Sequence, residues 1–419
     1  MLTVEEALEK VLAEVRPLDT VTVPILDAMG QVLAEDITAS SNVPPFDNSG
    51  MDGFALRYED TAGATRDNPR VLKVIDTVIA GSVSRKEVIL GTAMRIMTGA
   101  PVPRGANAIV QFENTDDDCR RATGSATTEI AIYQEAKKGL NVRKAGQSIS
   151  AGSTVLVKGT VIRPSEIGVL ASLGCKEVNV IRRPVVAILS TGDELVELGD
   201  PLPEGKIYDS NIYSLASLVR RTGGIPKILG IAEDTEAAII GKLKQTGDAD
   251  MLLTTGGVSM GDYDMVKDIL DRDGEMVFWK VRLKPGKPLA FGKFKNGTRK
   301  IPHLGLPGNP VSCMVNFELF ARPALLKMMG KTNTAKPAVE AVIEETVVNK
   351  DGRRIYDRAI IERRNGSYYA RLTGHQGSDV LTSMSLANGL VVIPENSTAI
   401  QKGEKVQVLM LDWNEAVNV

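Results

Sequence analysis

Three segments of this 419-residue chain place a carboxylate directly after an apolar run. Val185-Val-Ala-Ile-Leu189 leads into Ser190-Thr-Gly-Asp-Glu194, and the run ending at Ile231 leads into Glu233-Asp234. Met251-Leu-Leu-Thr-Thr255 leads into Gly256-Gly-Val-Ser-Met-Gly-Asp-Tyr-Asp264. Two unit charges ~4 Å apart repel by about 4 kcal/mol at an effective dielectric near 20, so converging carboxylates imply a cation between them. The chain has only two histidines, His303 and His375, and oxygen-only ligation favours Mg²⁺. Any one of these acids could simply cap the helix that follows it; the three together carry the metal reading.

Other segments have the chemistry of anion holders. The glycines of Gly256-Gly-Val-Ser-Met-Gly261 let backbone amides approach a phosphate. Lys284-Pro-Gly-Lys287-Pro288 aims two ammonium groups from a segment stiffened by proline, which suits an oxyanion, although solvated lysines are common. Gly305-Leu-Pro-Gly-Asn-Pro-Val-Ser312 is a rigid turn entering a helix, whose N-terminus and Ser312 hydroxyl can also hold an anion. Gly330-Lys-Thr332 lacks the earlier glycine of a phosphate-binding P-loop, since position 325 is leucine. Gly257-Val-Ser259-Met-Gly261 also fits a nucleophile elbow, so a serine hydrolase with Ser259 as nucleophile and His303 as base is an alternative. Against it, His303 lies inside Ile301-Pro-His-Leu-Gly305, where a packed strand histidine is the simpler reading. Residue chemistry alone therefore points to a Mg²⁺-assisted enzyme acting on a phosphorylated small molecule together with an oxyanion.

Positioning these residues takes several domains, and at ~150 residues per domain the length suggests about three. Fifty Lys and Arg against 52 Asp and Glu leave a net charge of −2, which gives no basic field for nucleic acid. No apolar run approaches the ~18 to 20 residues that span a bilayer, and the first 15 residues are too acidic for a secretory signal. The expectation is a soluble, cytoplasmic chain with no membrane contact. Cys119, Cys175 and Cys313 are too scattered for a disulfide framework or zinc site, and are expected to be reduced.

Thr3-x-x-Glu6 reads as a capping box opening an amphipathic helix that stops before Pro17. From about 18 to 182 the pattern is short β-branched runs broken by Gly and Pro, interrupted by a helix over 164–173. Beyond Pro184, apolar strands near 185–189, 227–231, 251–255 and 289–293 alternate with helical segments near 211–222, 235–246, 264–272 and 310–329. That alternation predicts a parallel, three-layer α/β/α domain. The last ~85 residues, with an Asn365-Gly366 hairpin turn and a run over 406–411, predict a small all-β domain.

Six motifs in order resemble the molybdopterin molybdenumtransferase family, known as the MoeA and gephyrin E-domain family. They are Pro44-Pro-Phe-Asp-Asn-Ser-Gly-Met-Asp-Gly53, Arg95-Ile-Met-Thr-Gly-Ala100, Ser190-Thr-Gly-Asp-Glu-Leu195, Gly256-Gly-Val-Ser-Met-Gly261, Lys284-Pro-Gly-Lys-Pro288 and Leu306-Pro-Gly-Asn-Pro-Val-Ser312. The resemblance implies an α/β plus β, multidomain, L-shaped subunit. Its parts would be a discontinuous dimerisation domain (1–48 and 150–182), an inserted β-rich lid (49–149), an α/β domain (183–330) and a C-terminal β-barrel (331–419). It implies a homodimer whose active cleft lies between one subunit's α/β domain and the partner's lid, so that Asp52 and Thr98 act in trans. The reaction would convert adenylylated molybdopterin and molybdate, with Mg²⁺, into molybdenum cofactor and AMP. A molybdopterin adenylyltransferase and apo-molybdoenzymes would be protein partners.

By motif position, Glu194 and Asp264 would hold Mg²⁺ with Asp234 nearby. Gly256, Gly257, Ser259 and Gly261 would receive the nucleotide phosphates. Lys284, Lys287, Ser312, Arg358 and Ser378 fall on the molybdate side, and Pro307 and Pro310 would shape the adjoining turn. Gly146-Gln147-Ser148-Ile149 stands where many relatives carry Gly-Glu-Asp-Ile, so a lid carboxylate is missing here. Two further readings stay open: a scaffold that anchors receptor segments, as in the gephyrin branch, and the related adenylyltransferase step.

Overall fold

The computed structural model describes residues 1–122, 128–256, 275–296 and 298–412. They form two compact units: Met1–Val23, Ala28–Ala34 and Asn179–Val419 make one, and Pro24–Asp27 with Glu35–Val178 the other.

The larger unit is built on a six-stranded sheet. Its strands are β1 (Val185–Thr191), β2 (Ile225–Ala232), β3 (Met251–Thr255), β4 (Glu275–Lys280), β5 (Pro288–Asn296) and β6 (Arg299–Leu306), in the order β2-β1-β3-β6-β5-β4. Strands β1, β2, β3 and β6 run parallel. The expected all-parallel sheet is corrected at its edge, where β5 runs antiparallel to both of its neighbours, β6 and β4. Apolar runs such as Met251–Thr255, buried at every position, are what a strand covered on both faces requires. The helix Asn211–Thr222 buries Ile212, Leu215, Leu218 and Val219 at helical spacing. Glu236–Leu243, extended by a 3₁₀ turn Lys244–Thr246, buries Ile239 and Leu243 in a separate cluster with Leu189, Leu229 and Leu252.

Thr3 and Glu6 do form the capping box, and the helix they start, Val4–Ala13, buries Val4, Ala7 and Val11 in the core beneath the sheet. The long helix expected over 310–329 is interrupted. Pro310–Asn316 passes through a π-helical turn, Phe317–Ala321, before Arg322–Met328. Pro323 has no N–H to donate one turn back, so the helix widens where that hydrogen bond is lost.

The C-terminal strands close into a barrel. Arg354–Arg364 pairs with Ser367–Leu372 through the expected turn, where Asn365 and Gly366 both have positive φ. Ser367–Leu372 pairs with Ala338–Ile343, then Lys405–Met410 and Gly389–Ile393 follow, and the last strand returns to Arg354–Arg364. Leu283–Lys284 adds a parallel edge to Arg354–Ile355, which fixes the lysine segment to the barrel backbone.

The smaller unit carries a five-stranded sheet in the order Ala108–Gln111, Gly53–Leu56, Thr92–Ile96, Arg70–Val78, Glu129–Ile132. Phe54, Leu56, Leu72, Val110, Ile130 and Ile132 fill one face of it. Its helix Pro164–Ser172 begins at the expected proline. Among the described residues no helix is long and apolar enough to cross a membrane.

Candidate active site

The strand order makes the site. From β1 the chain steps to β2 on one side and then to β3 on the other, so the loops leaving β1 and β3 diverge and open a crevice at their carboxyl ends. Gly256 follows β3 at that point with φ +83°, and a Cβ there would stand 2.3 Å from the Thr191 carbonyl at the end of β1. Only glycine lets the two loops approach this closely.

The crevice is a cleft of about 1020 Å³, at the upper end for a small-molecule site. It is lined by Glu194, Asp234, Gly256, Lys284, Lys287, Pro307, Pro310, Ser312 and Ser378, nine of the residues expected from the sequence. Gly257, Ser259, Gly261 and Asp264 lie outside the described residues, as does the helix expected over 264–272.

The acidic wall comes from the loops after β1 and β2. Asp193 Oδ1 accepts the Asp234 amide at 3.0 Å. Burial, then the Asp193 and Glu194 carboxylates, push the Asp234 carboxyl above its ordinary range. Among the described residues no three acids, histidines or cysteines converge into a complete metal site. The donor set nevertheless fits Mg²⁺, which takes one or two carboxylates and leaves its other positions to water and substrate oxygens. A divalent cation there would relieve the crowding of charge felt by Asp234.

Sequence reasoning passed over Asp209 and Asn211, which also line the cleft. Asp209 Oδ1 accepts the amides of Asn211 and Ile212 at 3.0 and 3.1 Å and caps the helix, while its buried Oδ2 has no partner among the described residues. Asn211 Nδ2 donates to Thr255 Oγ1 at 2.9 Å and to the Gly308 carbonyl at 2.6 Å, joining the end of β3 to the turn after β6. The Asp-Ser-Asn triplet ahead of a helical pattern was the available signal.

On the cationic wall, Asn316 locks the lysine segment. Asn316 is wholly buried, and its Nδ2 donates to the carbonyls of Gly286 (3.1 Å) and Ser312 (2.8 Å). Ser378 accepts from Asn309 Nδ2 at 3.0 Å, and its carbonyl accepts the Val311 amide at 3.0 Å. Helix, lysine loop and barrel loop are thus tied together around Ser312.

Arg358 is placed differently from expectation. It is fully buried and does not line the cleft. Its Nε donates to Ser383 Oγ (3.0 Å) and its Nη2 to the Gly377 carbonyl (2.9 Å), while the Gln376 side chain bonds its backbone N–H and C=O. Arg358 supports the 374–378 loop from behind, because its strand is buried along Ile355–Ala359.

His303 is the packed strand histidine. It is buried on β6 with Nε2 2.9 Å from Thr254 Oγ1, and burial lowers its pKa to about 3, so it is no general base for the cleft. None of the three cysteines forms a disulfide among the described residues, and burial pushes Cys313 up to about 12.

In the smaller unit, Asp52 Oδ1 accepts from the Thr98 N–H at 2.6 Å and from its hydroxyl at 2.8 Å. Those two bonds hold the exposed carboxylate below its ordinary range. The pair sits at the ends of neighbouring antiparallel strands, Gly53 opposite Ile96. One residue further along, Arg95 pairs with the fully buried Asp117 through two contacts, 2.5 and 3.1 Å, and lies 4.1 Å above the Phe112 ring. Asp117→Ala is expected to lower stability by about 3–5 kcal/mol, because it strands a largely buried guanidinium. Urea unfolding checks this; a loss below about 1 kcal/mol would show the pair to be dispensable. Gln147 Oε1 accepts the Lys144 amide at 3.1 Å, a turn contact in the position of the missing acid.

Fold and cleft define an α/β ligand-binding protein with a switch-point site completed by a barrel. Residues 2–174 match the MoeA N-terminal region (domain I and II), 187–327 a probable molybdopterin binding domain, and 340–411 the MoeA C-terminal region (domain IV). Molybdopterin molybdenumtransferase 2 of Mycobacterium tuberculosis is 39% identical over 97% of this chain and 99% of its own. The molybdopterin molybdenumtransferase of Bacillus subtilis is 34% identical over 98% and 94%. The crystal structure of the molybdopterin biosynthesis moeA protein from Pyrococcus horikoshii OT3 superposes with a TM-score of 0.79 at 33% identity, covering 98% of this chain and 100% of that one. The chain belongs to the MoeA family of molybdopterin molybdenumtransferases, enzymes of molybdenum cofactor biosynthesis.

Proposed function

We propose that the cleft binds adenylylated molybdopterin and molybdate and releases molybdenum cofactor and AMP. The observation that carries this reading is one cleft with carboxylates on the loops of the α/β sheet and cations on the segment fixed to the barrel. A phosphorylated substrate that needs a divalent cation and a tetrahedral dianion that needs positive donors are the two ligands such walls suit.

Glu194 and Asp264 would hold Mg²⁺, with Asp234 beside them. The ion would polarise the pyrophosphate oxygens and offset charge as the bond to AMP breaks. The amides from Gly256 onward, with Gly257, Ser259 and Gly261, would receive the phosphates. Lys284 and Lys287 would neutralise molybdate while the Ser312 and Ser378 hydroxyls orient it, and Pro307 and Pro310 would keep the intervening turn rigid. Arg358 enters this reading as the residue that shapes the Ser378 loop.

Asp52 and Thr98 belong in this reading as a preformed, ionised carboxylate supplied by the partner subunit of a homodimer. The adenylylated substrate would come from a molybdopterin adenylyltransferase, and apo-molybdoenzymes would take the product, all in the cytoplasm. Mixing inactive Asp52→Ala and Glu194→Ala chains tests the shared site. A dimer of one chain of each kind keeps one intact cleft, so recovery to roughly a quarter of wild-type activity is expected. No recovery in verified mixed dimers would place both residues in cleft functions of a single chain.

A further inference from the structure

The helix that leaves the cleft at Pro310 buries a carboxylate in its π-helical turn, Phe317–Ala321. Glu318 is 3% exposed. A buried charge is tolerated only when it is paired, and three cations surround this one. Arg221, one residue before the end of the helix Asn211–Thr222, donates from Nη2 to Glu318 Oε1. The buried Lys336 Nζ stands 2.8 Å from Oε2, a close ion pair without hydrogen-bond alignment. Arg322 Nε stands 3.9 Å from the same oxygen, and its Nη1 and Nη2 donate to the carbonyls of Thr334 (3.0 Å) and Ala335 (3.4 Å).

These contacts reach both chain passages of the barrel. Thr334 to Lys336 lead into the strand Ala338–Ile343, and Asp412, which follows the strand Lys405–Met410, accepts from Arg221 Nη1 at 2.8 Å. Entry and exit are themselves joined, since the Met410 amide donates to the Pro337 carbonyl at 2.9 Å. The two helices that meet at Glu318 both begin at the cleft, one at Asn211 and the other at Pro310. At ~1.5 Å per residue, Glu318 lies roughly 9 Å along its helix from Ser312, out of reach of a ligand held there. The barrel loop meets the first turn of that helix, where the Val311 amide donates to the Ser378 carbonyl at 3.0 Å. A barrel free to tilt about its entry and exit would part Ser378 from Ser312.

We propose that Glu318 is a positioning residue for molybdate binding. Through Arg221, Arg322 and Lys336 it clamps the entry and exit of the barrel against the two helices, and so sets the distance of Ser378 from Ser312 without touching the ligand. The assignment rests on the reading of this cleft as the molybdate site. Removing Glu318 strands three cations and threatens the fold. Lys336→Met and Asp412→Asn, singly and together, loosen the barrel side of the clamp while Glu318 keeps its arginines.

One test is structural. Val311 is the second residue of its helix, so its N–H has no partner within the helix and owes its protection to Ser378. In the double variant, amide hydrogen exchange should quicken by about tenfold or more in peptides containing Val311 and Ser378. Exchange in the buried strand Met251–Thr255 should stay at the wild-type rate. The other test is kinetic: in the double variant the KM for molybdate in AMP release should rise about tenfold, with kcat and the KM for adenylylated molybdopterin within about twofold of wild type. Lys336→Arg should recover most of the loss caused by Lys336→Met, and Glu318→Gln should show both effects with a lowered Tm.

Wild-type exchange at Val311 and Ser378 in the double variant would overturn the clamp, whatever the cleft binds. Quickened exchange with an unchanged KM for molybdate, or with an equal rise in the KM for the pterin, would overturn the positioning role and leave a stabilising ion cluster. A wild-type chain whose AMP release ignores molybdate would overturn the underlying reading and the assignment with it.

Discussion

Glu194→Ala is expected to lower kcat/KM for AMP release by at least about a hundredfold, the largest catalytic effect of any substitution in the described part of the cleft. A metal held at a breaking pyrophosphate contributes several kcal/mol of charge stabilisation, and each ~1.4 kcal/mol is a factor of ten in rate. Glu194 follows the end of β1, the strand from which the crevice diverges, and lines the cleft there. Asp234→Asn should behave differently. Its carboxyl is crowded by Asp193 and Glu194, so removing one charge should raise the Mg²⁺ concentration needed for half-maximal activity while leaving much of the saturated rate. Steady-state AMP release over a Mg²⁺ titration measures both. A Glu194→Ala chain within tenfold of wild type would remove the metal from this wall.

Gly286→Ala is expected to be strongly damaging to the lysine segment. Gly286 has φ +95°, where an L-residue is strained by about 1–2 kcal/mol. The added Cβ would stand 2.0 Å from Asn316 Nδ2. Moving that buried amide deprives the Gly286 and Ser312 carbonyls of their donor, at about 1–3 kcal/mol for a buried polar group left unpaired. A total of about 2–5 kcal/mol should appear as a lower urea midpoint, with loss of molybdate affinity as Lys284 and Lys287 lose their fixed loop. The double variant Gly286→Ala with Asn316→Ala removes the clash and should be milder than the sum of the single variants. Strict additivity would mean that the damage comes from the backbone angle alone.

Much of this architecture is legible in local chemistry. The Thr3 to Glu6 capping box, the helix from Asn211, the buried strand over 251–255 and the Asn365-Gly366 turn all depend on neighbours within a few residues, and all are present. The antiparallel edge of the central sheet and the closure of the barrel depend instead on pairings between distant segments, such as Gly389–Ile393 with Arg354–Arg364. Spacing within a segment cannot reveal them.

The site divides in the same way. Motif order assembled nine cleft residues, because the ends of parallel strands bring their loops together whatever the side chains are. Arg353 and Arg358 could not be told apart by type. Strand burial sends Arg358 inward, while Arg353 ends a turn on the cleft side. Asp209 and Asn211 were hidden for another reason: a capping role and a cleft role call for the same residue types.

The measurement closest to the central claim is AMP release by the purified chain given adenylylated molybdopterin and Mg²⁺, with and without molybdate, followed by activation of an apo-molybdoenzyme. The expected result is molybdate-dependent AMP release together with an activated enzyme, both lost in Glu194→Ala and Asp264→Ala. Tight binding of the adenylylated pterin with neither AMP nor cofactor formed would contradict it, and would leave a carrier or scaffold that keeps the cleft without the transfer.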